Sequence, residues 1–271
     1  MWGGPDSLLN ARVGRMYIPF GEEYLRRYAI DNPFISRSLS DIWGVDAGIE
    51  LYGTVGKFSY VAAVQNGGVN GNQDFDGDKS VTAKLGFDPT PWLHFSASAM
   101  RTGNLNVQQD VLSGLWFANG WFRSLGPPST TTFHANLFEG DVEIRLHRGY
   151  LRAFGGYVSY SDNSSFGNNQ RGVYYYALKA VHDIYGKFYG GVSFSQVYAN
   201  NGFPIVGYGN MDEYLFGPLT QNLWRLSLCL GYRFSDNLIL KAEYSFEQGH
   251  ELDGTQRDQE NLFALEAAFR F

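Results

Sequence analysis

Charged side chains recur at every second position in several stretches of this chain, and that spacing decides what chemistry they can do. Asp141, Glu143 and Arg145 alternate with Val142 and Ile144; Arg225 and Arg233 flank an alternating run; Lys241 and Glu243 alternate with Ala242 and Tyr244. Residues two apart stand on one side of an extended strand, so these carboxylates and cations share a polar face. There they can pair across strands or meet ionic and polar solutes. Nucleophilic chemistry has no comparable signature. The five histidines (His94, His134, His147, His182, His250) are scattered, with no pair at metal-ligand spacing and no G-x-S-x-G. Asp74, Asp76 and Asp78 around Gly77 resemble the start of a calcium loop, but the distant glutamate of that pattern is missing. They are a weak metal candidate and read as a solvated loop.

The elements that must carry these faces are strands. Residues 223–234 set Trp224, Leu226, Leu228, Leu230, Tyr232 and Phe234 against Arg225, Ser227, Cys229, Gly231 and Arg233, and after a short turn 238–247 return with the same period. The alternation repeats upstream and predicts about twelve strands, the first near 11–20. In 150–160 and 172–182 both faces carry tyrosine, which leaves their facing open. Short connections (54–56, 88–91, 147–149, 183–186, 235–237) alternate with long ones (21–44, 66–79, 104–131, 161–171, 199–222, 248–261). Strict alternation puts all the short turns at one end and the long loops at the other, the layout of outer-membrane barrels. The expected fold is therefore all-β, an antiparallel up-and-down transmembrane barrel occupying residues 1–271 as one domain. A soluble all-β protein is the alternative.

Composition agrees with strands: 17% of residues are aromatic and 33 are Gly. No run approaches the roughly 18 apolar residues of a transmembrane helix, which leaves a barrel open, since only alternate residues of its strands face lipid. A net charge of −6 and the lack of a basic run argue against nucleic acid. The single cysteine, Cys229, allows no intrachain disulfide. The first residues, MWGGPDSLLNARVG, do not read as a secretory signal.

If the apolar faces meet lipid, the polar faces line an interior. The residues expected there include Lys84, Asp141, Glu143, Arg145, Lys179, Arg225, Arg233, Lys241 and Glu243, and over all strands acids and bases balance. A basic wall of Arg225, Arg233, Lys241 and Lys84 could face an acidic wall of Asp141 and Glu143. The loops 104–131, with Trp116, Phe117 and Trp121, and 199–222 both carry apolar side chains that folding into the interior would bury, so one of them, with 104–131 preferred, is the candidate constriction loop, packing between the two as an outer cap being the alternative.

RVGRMYIPFGEEYL and NPFISRSLSDIWGVDAGIELYG resemble the phosphate-selective porin O/P family of bacterial outer-membrane proteins, through Val13, Gly14, Arg15, Pro19, Phe20 and Gly21, then Asp46, Gly48, Ile49, Leu51 and Gly53. The terminal strand NLFALEAAFRF, ending on Phe271, is similar to the C-terminal insertion signal of such barrels. The resemblance implies about sixteen strands and a signal peptide, so the chain is expected either to lack four leading strands or to close with twelve. It also implies passive diffusion of small polar or ionic solutes, contact with outer-membrane lipid and lipopolysaccharide, a homotrimer by analogy, and no cofactor. The balanced charge does not support phosphate selectivity. An enzyme with an active site at the barrel rim is the alternative function.

Overall fold

The computed structural model describes residues 7–39, 41, 44–67, 77–106, 132–162, 171–203, 220–257 and 260–270. Twelve long strands form one antiparallel meander: β1 (Asn10–Tyr17), β2 (Val45–Val55), β3 (Phe58–Gln65), β4 (Ser80–Thr90), β5 (Leu93–Arg101), β7 (Thr132–Leu146), β8 (Gly149–Asp162), β9 (Arg171–Tyr185), β10 (Phe188–Phe203), β11 (Thr220–Ser235), β12 (Leu238–Glu251) and β13 (Leu262–Phe269). A two-residue strand, β6 (Leu105–Asn106), pairs with β7 to one side of this path. Each long strand pairs with its sequence neighbours, and every short connection lies at one end. The tight turns at Gly56 and Gly186 take φ of +60° and +57°, which glycine adopts without steric cost. Among the described residues β1 pairs only with β2 and β13 only with β12, so residues 11–20 and 261–270 form no ladder with each other.

The predicted alternation is realised in side-chain exposure. Ile49, Leu51, Val81, Leu85, Leu178, Leu228 and Leu230 are exposed, while their polar neighbours Glu50, Thr82, Lys84, Lys179 and Ser227 are buried on the other side. A large apolar surface of this kind requires hydrocarbon against it. The two tyrosine-rich strands now have a facing: Tyr174 and Tyr176 point outward, and Tyr160 and Tyr175 inward.

Strand length adds a second division. A tilted strand crosses the hydrocarbon with about 9–11 residues, which is the range of β2 and β4 at 11 residues each. β7 to β12 run to 14–16 residues. Their surplus lies toward the long connections, and there the polarity inverts. Phe133, Ala135, Leu137, Val158, Tyr160, Val173, Tyr175, Val197, Ala199 and Leu223 face inward as one packed cluster with Ile18 and Phe20, while Gln196 bonds Tyr176 and Asn222 on the outer side. The interior expected to be charged and wet throughout is thus a dry core along the long-loop part of β7–β11, as in a soluble β-protein.

Candidate functional site

The segment between β1 and β2 does not extend away from the barrel as an outer loop. Residues 18–39, with Asp41, turn inward and lie across the inner face of the sheet, forming a strap that meets strands from β4 to β12. Gly21 makes the entry. Its φ is +67°, its N–H donates to Ser98 Oγ at 3.1 Å, and a Cβ added there would run into the Glu139 carboxylate. Only glycine meets both demands. A single 3-10 turn, Glu23–Arg26, follows.

Around this turn, ion pairs hold the strap against β4–β9. Glu22 pairs with Lys84, lies 3.3 Å from His94 Nε2 and 3.4 Å from Arg152 Nη2. Glu23 pairs with Lys179, and Ser38 donates to the same glutamate. Arg26 donates to Glu143 at 2.7 Å and stacks over Tyr150, 4.2 Å from the ring centre. The far part of the strap is held by β10–β12 and by Arg270. Ile35 and Ser36 donate their N–H groups to Glu243 at 2.6 and 3.1 Å, Lys241 Nζ donates to the Ala29 carbonyl at 2.5 Å, and Arg270 donates to Asp31 at 2.7 Å. Phe34 fills a pocket between Val181, Tyr189, Cys229 and Ile239. A sheet whose β4 and β12 both touch one short segment has to curl around it.

Two carboxylates of the strap, Glu22 and Glu23, are held ionised against burial, whereas burial and the neighbouring Glu23 raise the pKa of Asp41 to about 6 despite Arg27 and Arg37. Desolvation opposes the charge on Glu22, but the hydrogen bond with His94 and the cations Lys84 and Arg152 outweigh it and lower its pKa to about 2. Burial opposes the charge on Glu23 as well, and Lys179 and the Ser38 hydroxyl reverse that, leaving its pKa below the usual carboxylate value.

Between the strap and β2–β5, β7 and β8 lies a cavity of about 360 Å³, lined by Glu22, Tyr24 and Arg26 of the strap and by Tyr52, Thr54, Ser59, Tyr60, Lys84, His94, Glu143, Arg145 and Arg152 of the wall. This side of the interior is polar, in contrast to the packed side at β7–β11.

Of the residues expected to face the interior, Lys84, Glu143, Lys179, Arg225, Lys241 and Glu243 all touch the strap, and Asp141 is buried beside Ser96 at 3.0 Å. Arg145 and Arg233 sit near the short-turn end, paired with Asp88 at 2.9 Å and Asp183 at 2.5 Å. Separate basic and acidic walls do not form, because Arg225 pairs with Glu247 and Lys241 with Glu266. Trp116, Phe117 and Trp121, with Asp74 and Asp76, lie outside the described residues; Asp78 accepts from the Asn104 N–H at 3.1 Å. Among the described residues no cluster of three or more His, Cys, Asp or Glu could hold a metal.

Sequence reasoning missed Arg152 and the strap itself. Arg152 belongs to a strand whose facing was ambiguous. The strap had a signal in its density of paired charges, with Glu22, Glu23, Arg26, Arg27, Arg37 and Asp41 within 20 residues, more than a freely solvated loop needs.

The sequence matches no protein-family profile and no curated protein. Solved structures do match. The outer membrane channel DcaP of Acinetobacter baumannii aligns with a TM-score of 0.63 at 13% identity, over 97% of this chain and 72% of that one. A loop L8 deletion mutant of OmpT, an outer membrane protein of Vibrio cholerae, gives 0.59 at 13% identity, over 97% and 76%. OprB of Pseudomonas putida gives 0.56 at 10% identity, over 96% and 69%. The chain therefore has the porin-type fold of bacterial outer-membrane β-barrels.

Proposed function

We propose that the protein is an outer-membrane channel for passive diffusion of small hydrophilic or ionic solutes, and not an enzyme. The observation that carries this reading is the strap: a polar segment pinned across the inner face of a sheet whose outer face is apolar. Such a segment narrows a passage without chemistry of its own. Solutes pass along β2–β5, where the 360 Å³ cavity lies, because the inner face of β7–β11 is packed with aromatic and aliphatic side chains. Lys84, Glu143 and Arg145 line that passage beside the strap, with Arg26 and Arg152 adding positive charge. The outer apolar band meets lipid, the outer surface meets lipopolysaccharide, and the assembly is a trimer.

The alternative of a rim hydrolase is disfavoured by His94. Both of its ring nitrogens face carboxylates, Asp88 at 3.1 Å and Glu22 at 3.3 Å, so neither is placed to take a proton from a serine.

Planar-bilayer recording of the refolded protein tests the channel. Discrete conductance steps are expected, larger in Glu243→Gln, which weakens the hold on Ile35 and Ser36. Absence of steps in a correctly folded barrel would overturn the reading, and strong anion preference would overturn the balanced interior.

A further inference from the structure

The strap is fastened most densely at Glu22, and one member of that cluster differs from the others. That member is His94, since histidine is the side-chain type that changes charge near neutrality. His94 is 8% exposed, with Nε2 3.3 Å from Glu22 of the strap and Nδ1 3.1 Å from Asp88 of β4. A neutral imidazole has one N–H and cannot donate to both carboxylates; the imidazolium can. We propose that His94 is a proton-operated latch, which in its cationic form ties the strap to the wall and on losing its proton releases that side of it.

The surroundings are consistent with this role. The strap presents Glu22. β4 presents Asp88 and Lys84, β7 presents Glu143, which pairs in register with His94, and Arg145, which bonds Asp88; β8 presents Arg152. The strap also presents Arg26, bonded to Glu143, so three carboxylates and five basic groups, His94 included, make up the cluster. Removing the histidine proton leaves Glu22 and Asp88 with one cation fewer and a ring nitrogen lone pair facing a carboxylate oxygen. The sign follows. A cation required only in the fastened state stabilises that state below the ordinary histidine midpoint of about 6.5, and the stabilisation is lost as pH rises above it. Tyr24 and Arg26, the next cavity-lining residues of the strap, would move with Glu22 and widen the passage at alkaline pH. This consequence for conduction rests on the channel reading; the latch itself does not.

The test is a spin label on Leu25→Cys, an exposed position of the strap, in a Cys229→Ser background, with the electron paramagnetic resonance line shape followed from pH 5.5 to 8.5. The mobile fraction is expected to rise at least threefold with His94 present. In His94→Gln it should be high and independent of pH, and in His94→Lys low and independent of pH. The same rise in His94→Gln, or no rise in the parent, overturns the latch. Single-channel conductance over the same range should at least double only where the label is released. A folded parent chain that never conducts defeats the channel reading, and the label then decides the latch alone.

Discussion

Asp41 accepts hydrogen bonds from both terminal nitrogens of Arg27, at 2.7 and 2.9 Å, and this pair ties the far end of the strap back to its middle. The side chains are 2% and 6% exposed. Removing one partner of a buried ion pair leaves the other charge uncompensated, at a cost of about 3–5 kcal/mol. Asp41→Asn is expected to loosen the strap without unfolding the barrel. Trypsin, which can cut at Arg26, Arg27 or Arg37, should then cleave the folded variant at least tenfold faster than the parent. Equal cleavage rates would show that the pair does not hold the strap.

Cys229 reports on the other end of the strap. Its thiol donates to the Pro33 carbonyl at 3.0 Å and is covered by Phe34. Phe34→Ala removes a fully buried ring, a change that costs about 3–5 kcal/mol where the pocket does not collapse. The single cysteine should pass from inert to reactive toward a maleimide in the folded barrel, and Cys229→Ser in the same background should abolish the label.

The strap should also loosen in acid, through Glu22. Its folded pKa is lowered to about 2 from the ordinary 4.5, so it stabilises the fastened strap fully above about pH 4.5. That stabilisation is lost as pH falls from there through about 2. Protease sensitivity of the strap should rise over this interval. Lys84→Met removes one of the cations that keep Glu22 ionised and should raise the pH at which the loss is complete; an unchanged lower end of the interval would remove Glu22 from the account.

Leu178 tests the outer face. It is 53% exposed on β9, beside Phe194 and Ala153 in the neighbouring strands. Leu178→Arg on a lipid-facing site near the bilayer centre costs about 2–4 kcal/mol. Folding into phospholipid vesicles should be reduced correspondingly, whereas Ser193→Arg in the adjacent inward row should fold better than Leu178→Arg. The reverse order would place lipid on the other face.

The strand wall was legible in the residues because a period of two is a local property: Leu228 and Leu230 point outward and Ser227 and Cys229 inward whatever lies beyond them. The alternation of short and long connections was legible for the same reason, since each turn follows from a few residues of chain. The inward path of residues 18–39 and Asp41 was not. It depends on Gly21 meeting Ser98, Glu22 meeting Lys84 and His94, Glu243 receiving Ile35, and Arg270 reaching Asp31, contacts between residues 62 to 239 positions apart. No local pattern encodes such distances.

Polarity alone also misjudged the interior of β7–β11. Phe133, Leu137 and Tyr160 obey the alternation but sit on strands longer than the bilayer, and a strand beyond the hydrocarbon reverses its preference because water replaces lipid outside. The chain's own sequence therefore determined that it forms a β wall with one apolar and one polar face. Only the tertiary structure decided what fills that wall, because burial and ion pairing depend on which distant side chains arrive together.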